Sequence, residues 1–267
     1  MTESFRFTAG DTPLLVSLPH GATAIPDRIA ARMTESALRT PDTDWHVERL
    51  YGFAGALGAS VIAATHSRYV IDLNRDPSGT ALYGGVDNTE ICPLTSFARE
   101  PIYRPGQTPD ESEIEDRVAR YWRPYHDRLG DALDRLRARF GIAILFDGHT
   151  ICSEVPRFFD GRIPDLNLGT DNGASADPTL ARTAFDLLSG STYQTVLDGR
   201  FTGGYITRHY GRPDENIHAI QLELTWRCYM AEDASFAWRA DRAARLTPHL
   251  RALLEALVGW AERRTIG

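Results

Sequence analysis

Cysteine is scarce in this sequence. Its three cysteines, Cys92, Cys152 and Cys228, are odd in number and widely spaced. Neither a disulfide framework nor a CxxC zinc knuckle can be read from them, and a reducing compartment is expected. Long apolar runs are also absent: none approaches the roughly 20 residues of a membrane span. The opening MTESFRFTAGD has no basic n-region and no apolar h-region. No signal peptide is expected, and a cytoplasmic location is. Positive charge is not in excess either. The formal net charge is -7 at pH 7, which argues against general nucleic-acid binding but leaves room for a local cationic pocket. No internal repeat or low-complexity tract interrupts the chain.

What is present suits a sizeable core. The chain has 267 residues, 42% of them hydrophobic, enough for one large α/β domain spanning 1–267. Short apolar runs at 13–18 (PLLVSL), 60–65 (SVIAAT) and 141–146 (GIAILF) read as buried strands. IHAIQLELT (217–225) alternates, with Ile220, Leu222 and Leu224 on one face and Gln221, Glu223 and Thr225 on the other. Helical spacing recurs at 44–57, at 112–140 with Pro124 expected to kink or split it, and at 179–189 behind Pro178. A last helix is expected to be capped by Thr247 and to start at Pro248. Strands alternating with helices predict an α/β fold, with a central mixed, largely parallel sheet flanked by helices. The Gly-, Pro- and Asp-rich stretches 76–111 and 160–178 read as long loops over one sheet edge, the kind that is functional or mobile.

One stretch departs from this pattern. RYVIDLNRDP (68–77) opens like a buried strand with Tyr69, Val70 and Ile71, then runs into Asp72, Asn74, Arg75 and Asp76. A bland loop does not need a guanidinium with five fixed donors. The stretch reads as a strand delivering an anion-recognition group to a pocket. Elsewhere, SLPHG and FDGHT set His20 and His149 just past predicted strands, where ligands gather in open α/β sheets. Each is equally readable as a hydrogen-bonded turn residue; together they can share a metal. A hydrolytic zinc needs three protein ligands and an open position. PDTDWHVERL offers Asp42, Asp44, His46 and Glu48. At about 100° per residue, Asp44 lies at the edge of the apolar stripe and can point inward or cap the helix. Glu48 lies further toward solvent, and His46 flanks the other edge. Glu223, mid-strand on the polar face, is costly unless it meets a cavity, metal or partner; it is a candidate base or an ordinary salt-bridge residue. FTGGYITRHYGRP (201–213) adds Gly203 and Gly204, which permit unusual backbone or close ligand approach, and Arg208, a second cation or a surface residue beside a turn. His126, His209 and His218 receive no role.

Seven segments occur in order: SLPHG, DTDWHVERLY, SRYVIDLNRDP, YWRPYH, FDGHTI, GGYITRHYGRP and AIQLEL…YM. Together they resemble the N-formylglutamate amidohydrolase (N-formylglutamate deformylase) family over nearly the whole chain. The resemblance implies hydrolysis of N-formyl-L-glutamate to formate and L-glutamate, a step of bacterial histidine degradation, on a fold similar to that of zinc carboxypeptidases and aspartoacylases. Aspartoacylases carry an Asp-Leu-Asn-Arg motif that grips a substrate carboxylate. That implies such a role for Asn74 and Arg75, and a carbonyl-polarising role for Arg68. The wider group takes two ligands from a His-x-x-Glu motif; here Thr23 stands where the Glu would be, and Asp44 is the expected replacement.

The resulting expectation is a Zn²⁺ amidohydrolase. One zinc sits on His20, Asp44 and His149, with Glu223 as base and Arg68 at the oxyanion. Asn74, Arg75, Arg208, Gly203 and Gly204 bind a small acidic metabolite. Neither nucleic acid nor membrane is an expected partner; a homo-oligomer is left open. The alternatives are another N-acyl-amino-acid deacylase or carboxypeptidase-like hydrolase, and a non-catalytic sensor of acidic metabolites.

Overall fold

The computed structural model describes residues 3–80 and 87–265, so the Ala81–Val86 part of the predicted long loop lies outside the described residues. Seven strands form one sheet: β1 (Phe5–Thr8), β2 (Leu14–Leu18), β3 (Ser60–Ala64), β4 (Ala143–Ile151), β5 (Leu166–Gly169), β6 (Thr195–Leu197) and β7 (Ile217–Thr225). Their order is β1-β3-β2-β4-β7-β5-β6. The central strands β3, β2, β4 and β7 are mutually parallel. β1 runs antiparallel to β3, and β5 antiparallel to β7. The expected mixed, largely parallel α/β sheet is the one that forms.

Alternation along the strands builds two cores. Val16, Phe146, Ile220 and Leu222 pack on one face against Leu180 and Leu188 of helix Pro178–Ser189 and Leu250, Leu253 and Leu257 of helix Ala240–Thr265. Leu15, Leu145 and Ala219 pack on the other against Tyr125, Leu129 and Leu133 of helix Arg123–Phe140. Each leucine buried this way contributes about 1.5–3 kcal/mol. This second face changes character toward the carboxyl ends of the strands. Ser17 is in register with Asp147, Asp147 with Gln221, and His149 with Glu223. A polar floor thus replaces the apolar one. Among the described residues, no helix is long and apolar enough to cross a membrane.

Several predicted elements differ. Residues 68–70 form a turn and Ile71 is irregular, so no strand forms: the Val70 N–H donates to Ser67 O at 2.9 Å and the Asp72 N–H to Ile91 O at 2.7 Å. Their apolar side chains are buried without sheet pairing. His149 lies within β4 rather than past its end, because that strand continues to Ile151. The 44–57 helix is two short ones, Val47–Leu50 and Ala54–Leu57, interrupted by the turn at Tyr51–Phe53 and preceded by His46 at φ 62°. The stretch 160–178 is not all loop, since it contains β5. Thr247 and Pro248 do not start the last helix. It begins at Ala240, Thr247 Oγ1 donates back to Ala243 O at 2.8 Å, and Pro248 sits inside. Pro248 leaves the Ala244 carbonyl without its helical donor, and both residues are exposed, so water can take the donor's place.

The long helical stretch has its predicted interruption. Five residues, Val118–Trp122, form a π-turn just before Pro124. Widening the helix there accommodates the missing proline N–H. It also presents Trp122 and His126 on one side. Trp122 Nε1 donates to Arg75 O at 3.1 Å, and His126 Nε2 donates to Leu73 O at 2.8 Å. The two rings stack with centroids 3.7 Å apart. This helix therefore holds the Asp72–Arg75 loop by its carbonyls.

Tyr210 Oη donates to the His126 carbonyl at 3.0 Å and lies 3.0 Å from the ring's Nδ1. Burial lowers the His126 pKa from 6.5 to about 3, the bond to Leu73 opposing and the His209 charge adding. The unfolded chain thus binds a proton that the fold refuses. The stability from this neutral ring is complete above about 6.5 and is lost as pH falls toward 3. Urea midpoints measured from about pH 7 to pH 4 should fall more steeply in wild type than in His126→Asn, which cannot titrate. Equal slopes would remove His126 from the acid response.

Candidate active site

The polar end of the sheet is the floor of a cleft lined by His20, Asp44, Arg68, Asn74, Arg75, Asn88, Phe97, His149, Phe158, Arg200, Gly204, Gln221 and Glu223, among others. Three of these converge. His20, Asp44 and His149 are buried, and one ligand atom from each lies within 4.8 Å of the others. His20 Nδ1 is 4.0 Å from Asp44 Oδ2, and His149 Nδ1 is 3.3 Å from the same oxygen.

Each histidine is aimed by a second carboxylate. His20 Nε2 donates to Asp72 Oδ1 at 2.8 Å, and His149 Nε2 to Asp147 Oδ2 at 2.8 Å. Asp147 is held in turn by Ser17 Oγ at 2.8 Å. These bonds place the imidazole proton on Nε2 and turn the Nδ1 lone pairs toward Asp44, as in histidine ligands of metals. His20 Nδ1 is buried and has no hydrogen-bond partner, a costly state that a cation would relieve.

Asp44 reaches this point by a turn rather than from a helix. Its N–H donates to His20 O at 3.0 Å, tying the two segments together, and its Oδ2 accepts from Thr150 N at 3.2 Å. It caps no helix. The other members of its motif face elsewhere. Glu48 pairs with Arg6 at 2.6 Å near the surface, His46 Nε2 donates to Phe236 O at 2.8 Å, and Asp42 accepts from Tyr69 Oη at 2.7 Å and Phe97 N at 2.8 Å.

Charge in the cleft is strongly coupled. Burial disfavours charge on Asp72, yet Arg68, His20 and Arg75 outweigh it and hold the carboxyl well below its usual range. Arg68 Nη2 donates to Asp72 Oδ2 at 2.6 Å, and its guanidinium lies 4.8 Å from the Phe97 ring centroid. Burial, with Arg68 beside it, lowers the His20 pKa. Burial acts in the same sense on His149, but Asp147 and Asp44 overcome it and raise that pKa. Glu223 is pushed up to about 8, first by burial, with His149 opposing and Asp44 adding. Its Oε1 is buried without a partner.

The Asp72–Arg75 loop meets the Gly203–Gly204 turn here. Asn74 Oδ1 accepts from Ile206 N at 2.8 Å, which points its Nδ2 toward His149 Nε2 at 3.2 Å. Gly204 N donates to Gln221 Oε1 at 2.7 Å. Gly203 adopts φ +125°, while Gly204 serves by close approach: a Cβ there would fall 2.1 Å from Asn74 Nδ2. Arg75 donates from Nη2 to Thr89 Oγ1 at 2.8 Å and from Nε to Thr89 O at 3.2 Å. Arg208 is not among the described residues lining the cleft. Its Nε donates to Gly203 O at 2.9 Å and its Nη2 to Thr202 Oγ1 at 3.0 Å, and Asp171 Oδ1 is 3.5 Å from Nε.

The residues missed from sequence are thus Asp72 and Asp147 as orienters, and Arg200 in the cleft wall. Asp147 was discoverable: two residues before His149 on a strand, it must share its face. Nothing in the local pattern marks Arg200. Gly204→Ala should cost about 1–3 kcal/mol in chemical denaturation, as overpacking does. Gly130→Ala, whose Cβ would meet Tyr210 Cε1 at an ordinary 3.6 Å, should stabilise its helix by about 0.5–1 kcal/mol. Equal effects from the two would show that the Asn74 contact is soft.

The family model for N-formylglutamate amidohydrolase matches residues 12–230. N-formylglutamate deformylase of Pseudomonas aeruginosa is 47% identical over 265 residues, covering 99% of each chain, and that of Pseudomonas putida is 46% identical over the same span. In fold, the crystal structure of N-formylglutamate amidohydrolase from Ralstonia eutropha superposes with a TM-score of 0.80 at 23% identity, covering 98% of both chains. A gene product of Agrobacterium tumefaciens gives 0.74 at 17% identity, over 98% of this chain and 97% of the other. With its sequence matched end to end and its family model spanning the cleft, the chain belongs to the N-formylglutamate amidohydrolase family.

Proposed function

We propose that the protein hydrolyses N-formyl-L-glutamate to formate and L-glutamate, in the cytoplasm, with one divalent metal ion, zinc by its donor set. The observation that carries this reading is the buried His20–Asp44–His149 group facing Glu223, in a chain 47% identical to an N-formylglutamate deformylase. Two imidazoles and a carboxylate suit a catalytic zinc that keeps a position open. The partnerless His20 Nδ1 and the two aimed imidazoles fit such an ion. A metal bound there supplies Lewis acidity and lowers the pKa of a coordinated water toward neutrality.

The chain's own groups do the rest. Glu223 takes the proton from the attacking water and gives it to the departing amide nitrogen. A carboxyl raised toward neutrality suits both tasks. The water oxygen joins the formyl carbon, the C–N bond breaks, and glutamate leaves as the amine. Arg68, fixed by Asp72 and Phe97, offers positive charge where the carbonyl oxygen becomes negative. Asn74 and Arg75 hold the α-carboxylate, Thr89 fixing the plane of the Arg75 guanidinium.

Purified protein should carry about one metal per chain and release formate from N-formylglutamate. His20→Ala, Asp44→Ala and His149→Ala should lose metal and turnover together, while Glu48→Ala should keep both. Elemental analysis beside a formate assay measures this, and full activity in thoroughly demetallated protein would sink the metal. Glu223→Gln should keep the metal and lose on the order of 10²-fold in kcat; near-normal turnover would remove Glu223 from the mechanism.

A further inference from the structure

We infer that Arg200 meets the side-chain carboxylate of the substrate, and that Asn167 is the positioning residue that sets it there. This rests on the N-formylglutamate reading. The chain contains no lysine, so a cation that meets this carboxylate is an arginine or a protonated histidine. Among the described residues of the cleft the arginines are Arg68, Arg75 and Arg200. Arg68 is paired with Asp72 at 2.6 Å and lies 3.9 Å from Asp44. Arg75 belongs to the Asp72–Arg75 loop beside Asn74. Arg200 enters from a different wall, the one formed with Phe158 and Phe201. Two cations on two walls match a ligand with two carboxylates. Arg208, the residue expected from sequence, braces this second wall from behind through Gly203 O and Thr202 Oγ1.

The mount of Arg200 is rigid. Asn167 of β5 is fully buried and lies opposite Glu223 in register. Its Nδ2 donates to Phe201 O at 2.7 Å, and its Oδ1 accepts from Phe201 N at 3.2 Å. Both backbone groups of the next residue are thereby fixed to the sheet. Arg200 Nε donates to Phe158 O, orienting the guanidinium. Gly199 passes so close that a Cβ would lie 2.9 Å from Val196 Cγ2 and 3.2 Å from Asn167 Oδ1. The sheet position that carries Glu223 therefore also sets, through Asn167, the site of Arg200. The span from reacting amide to distal carboxylate is built in, and N-formylaspartate falls one methylene short of it.

The experiment compares kcat/KM for N-formylglutamate and N-formylglutamine, which differ only in the distal charge. Wild type should prefer the diacid. Arg200→Gln should lose about 10- to 100-fold of that preference, mostly through KM, as expected for one charge-assisted contact. Arg200→Lys should recover part of it, and Asn167→Ala should weaken it with metal content kept. Arg208→Ala should lower both substrates alike and leave the ratio. Metal content and thermal unfolding report that each variant is folded, and the ratio within one variant is insensitive to its active fraction. The inference is overturned if Arg200→Gln discriminates as wild type does, or if Arg208→Ala is the variant that loses the ratio. Wild type releasing no formate from N-formylglutamate is a different result, and defeats the underlying reading instead.

Discussion

The cleft depends on one buried carboxylate. Asp72 is fully buried and makes three bonds at once: to His20 Nε2 at 2.8 Å, Arg68 Nη2 at 2.6 Å and Asn74 N at 2.9 Å. A buried charge is tolerable only when paired and hydrogen-bonded. Satisfying Asp72 orients His20, fixes Arg68 and turns the backbone so that Asn74 and Arg75 project into the cleft. The Trp122 and His126 rings then lock the same turn from outside by its carbonyls. The Asp-Leu-Asn-Arg stretch is therefore an electrostatic hub first. The projection of Asn74 and Arg75 into the cleft is a consequence of that wiring.

Strand register does for His149 what Asp72 does for His20. Parallel pairing of β2, β4 and β7 puts Ser17, Asp147 and Gln221 in one row and His149 beside Glu223 in the next. Because alternate residues share a face, a strand that offers an orienting carboxylate at 147 necessarily offers the imidazole above it at 149. A one-residue slip of β4 would send both into the leucine-rich core. The nine-residue pairing of β4 with β7 makes such a slip costly.

Legibility followed burial. The runs at 14–18, 60–64 and 143–146 could be read because strands covered on both faces are continuous apolar segments. β1, β5 and β6 could not: they have four, four and three residues, and β5 carries an asparagine. Residues 68–71 misled for the opposite reason, since Tyr69, Val70 and Ile71 fill core space without joining a ladder. Asp44 was singled out on the premise of a helix starting at 44. The helix starts at Val47, and it is the bond from Asp44 N to His20 O that turns the residue inward. That His20, His149 and Glu223 share one cleft was legible because polar residues beside or within apolar strands have few places to go. The place of Arg200 in the cleft was not, because the segment that carries it is held by Asn167, thirty-odd residues away in sequence.

The charges of the cleft also explain one another. Asp44, Asp72, Asp147 and Glu223 crowd a space whose buried arginine is Arg68, with Arg75 half-buried at its edge. Asp72 takes the attention of both arginines. What remains is an excess of carboxylates around His20, His149 and Asp44; it raises the pKa of His149 against burial, and it adds to the burial that pushes Glu223 up to about 8. Protons are one way to settle such an excess. A divalent cation at the three ligands is another, and it relieves the orphaned His20 Nδ1, which a proton on His149 does not. Arg68 is held by Asp72 beside the three ligands, whereas Arg75 donates to Thr89 and Arg200 to Phe158 O on walls of the cleft. The fold thus sets one arginine, Arg68, beside the three ligands and two others, Arg75 and Arg200, elsewhere in the cleft lining.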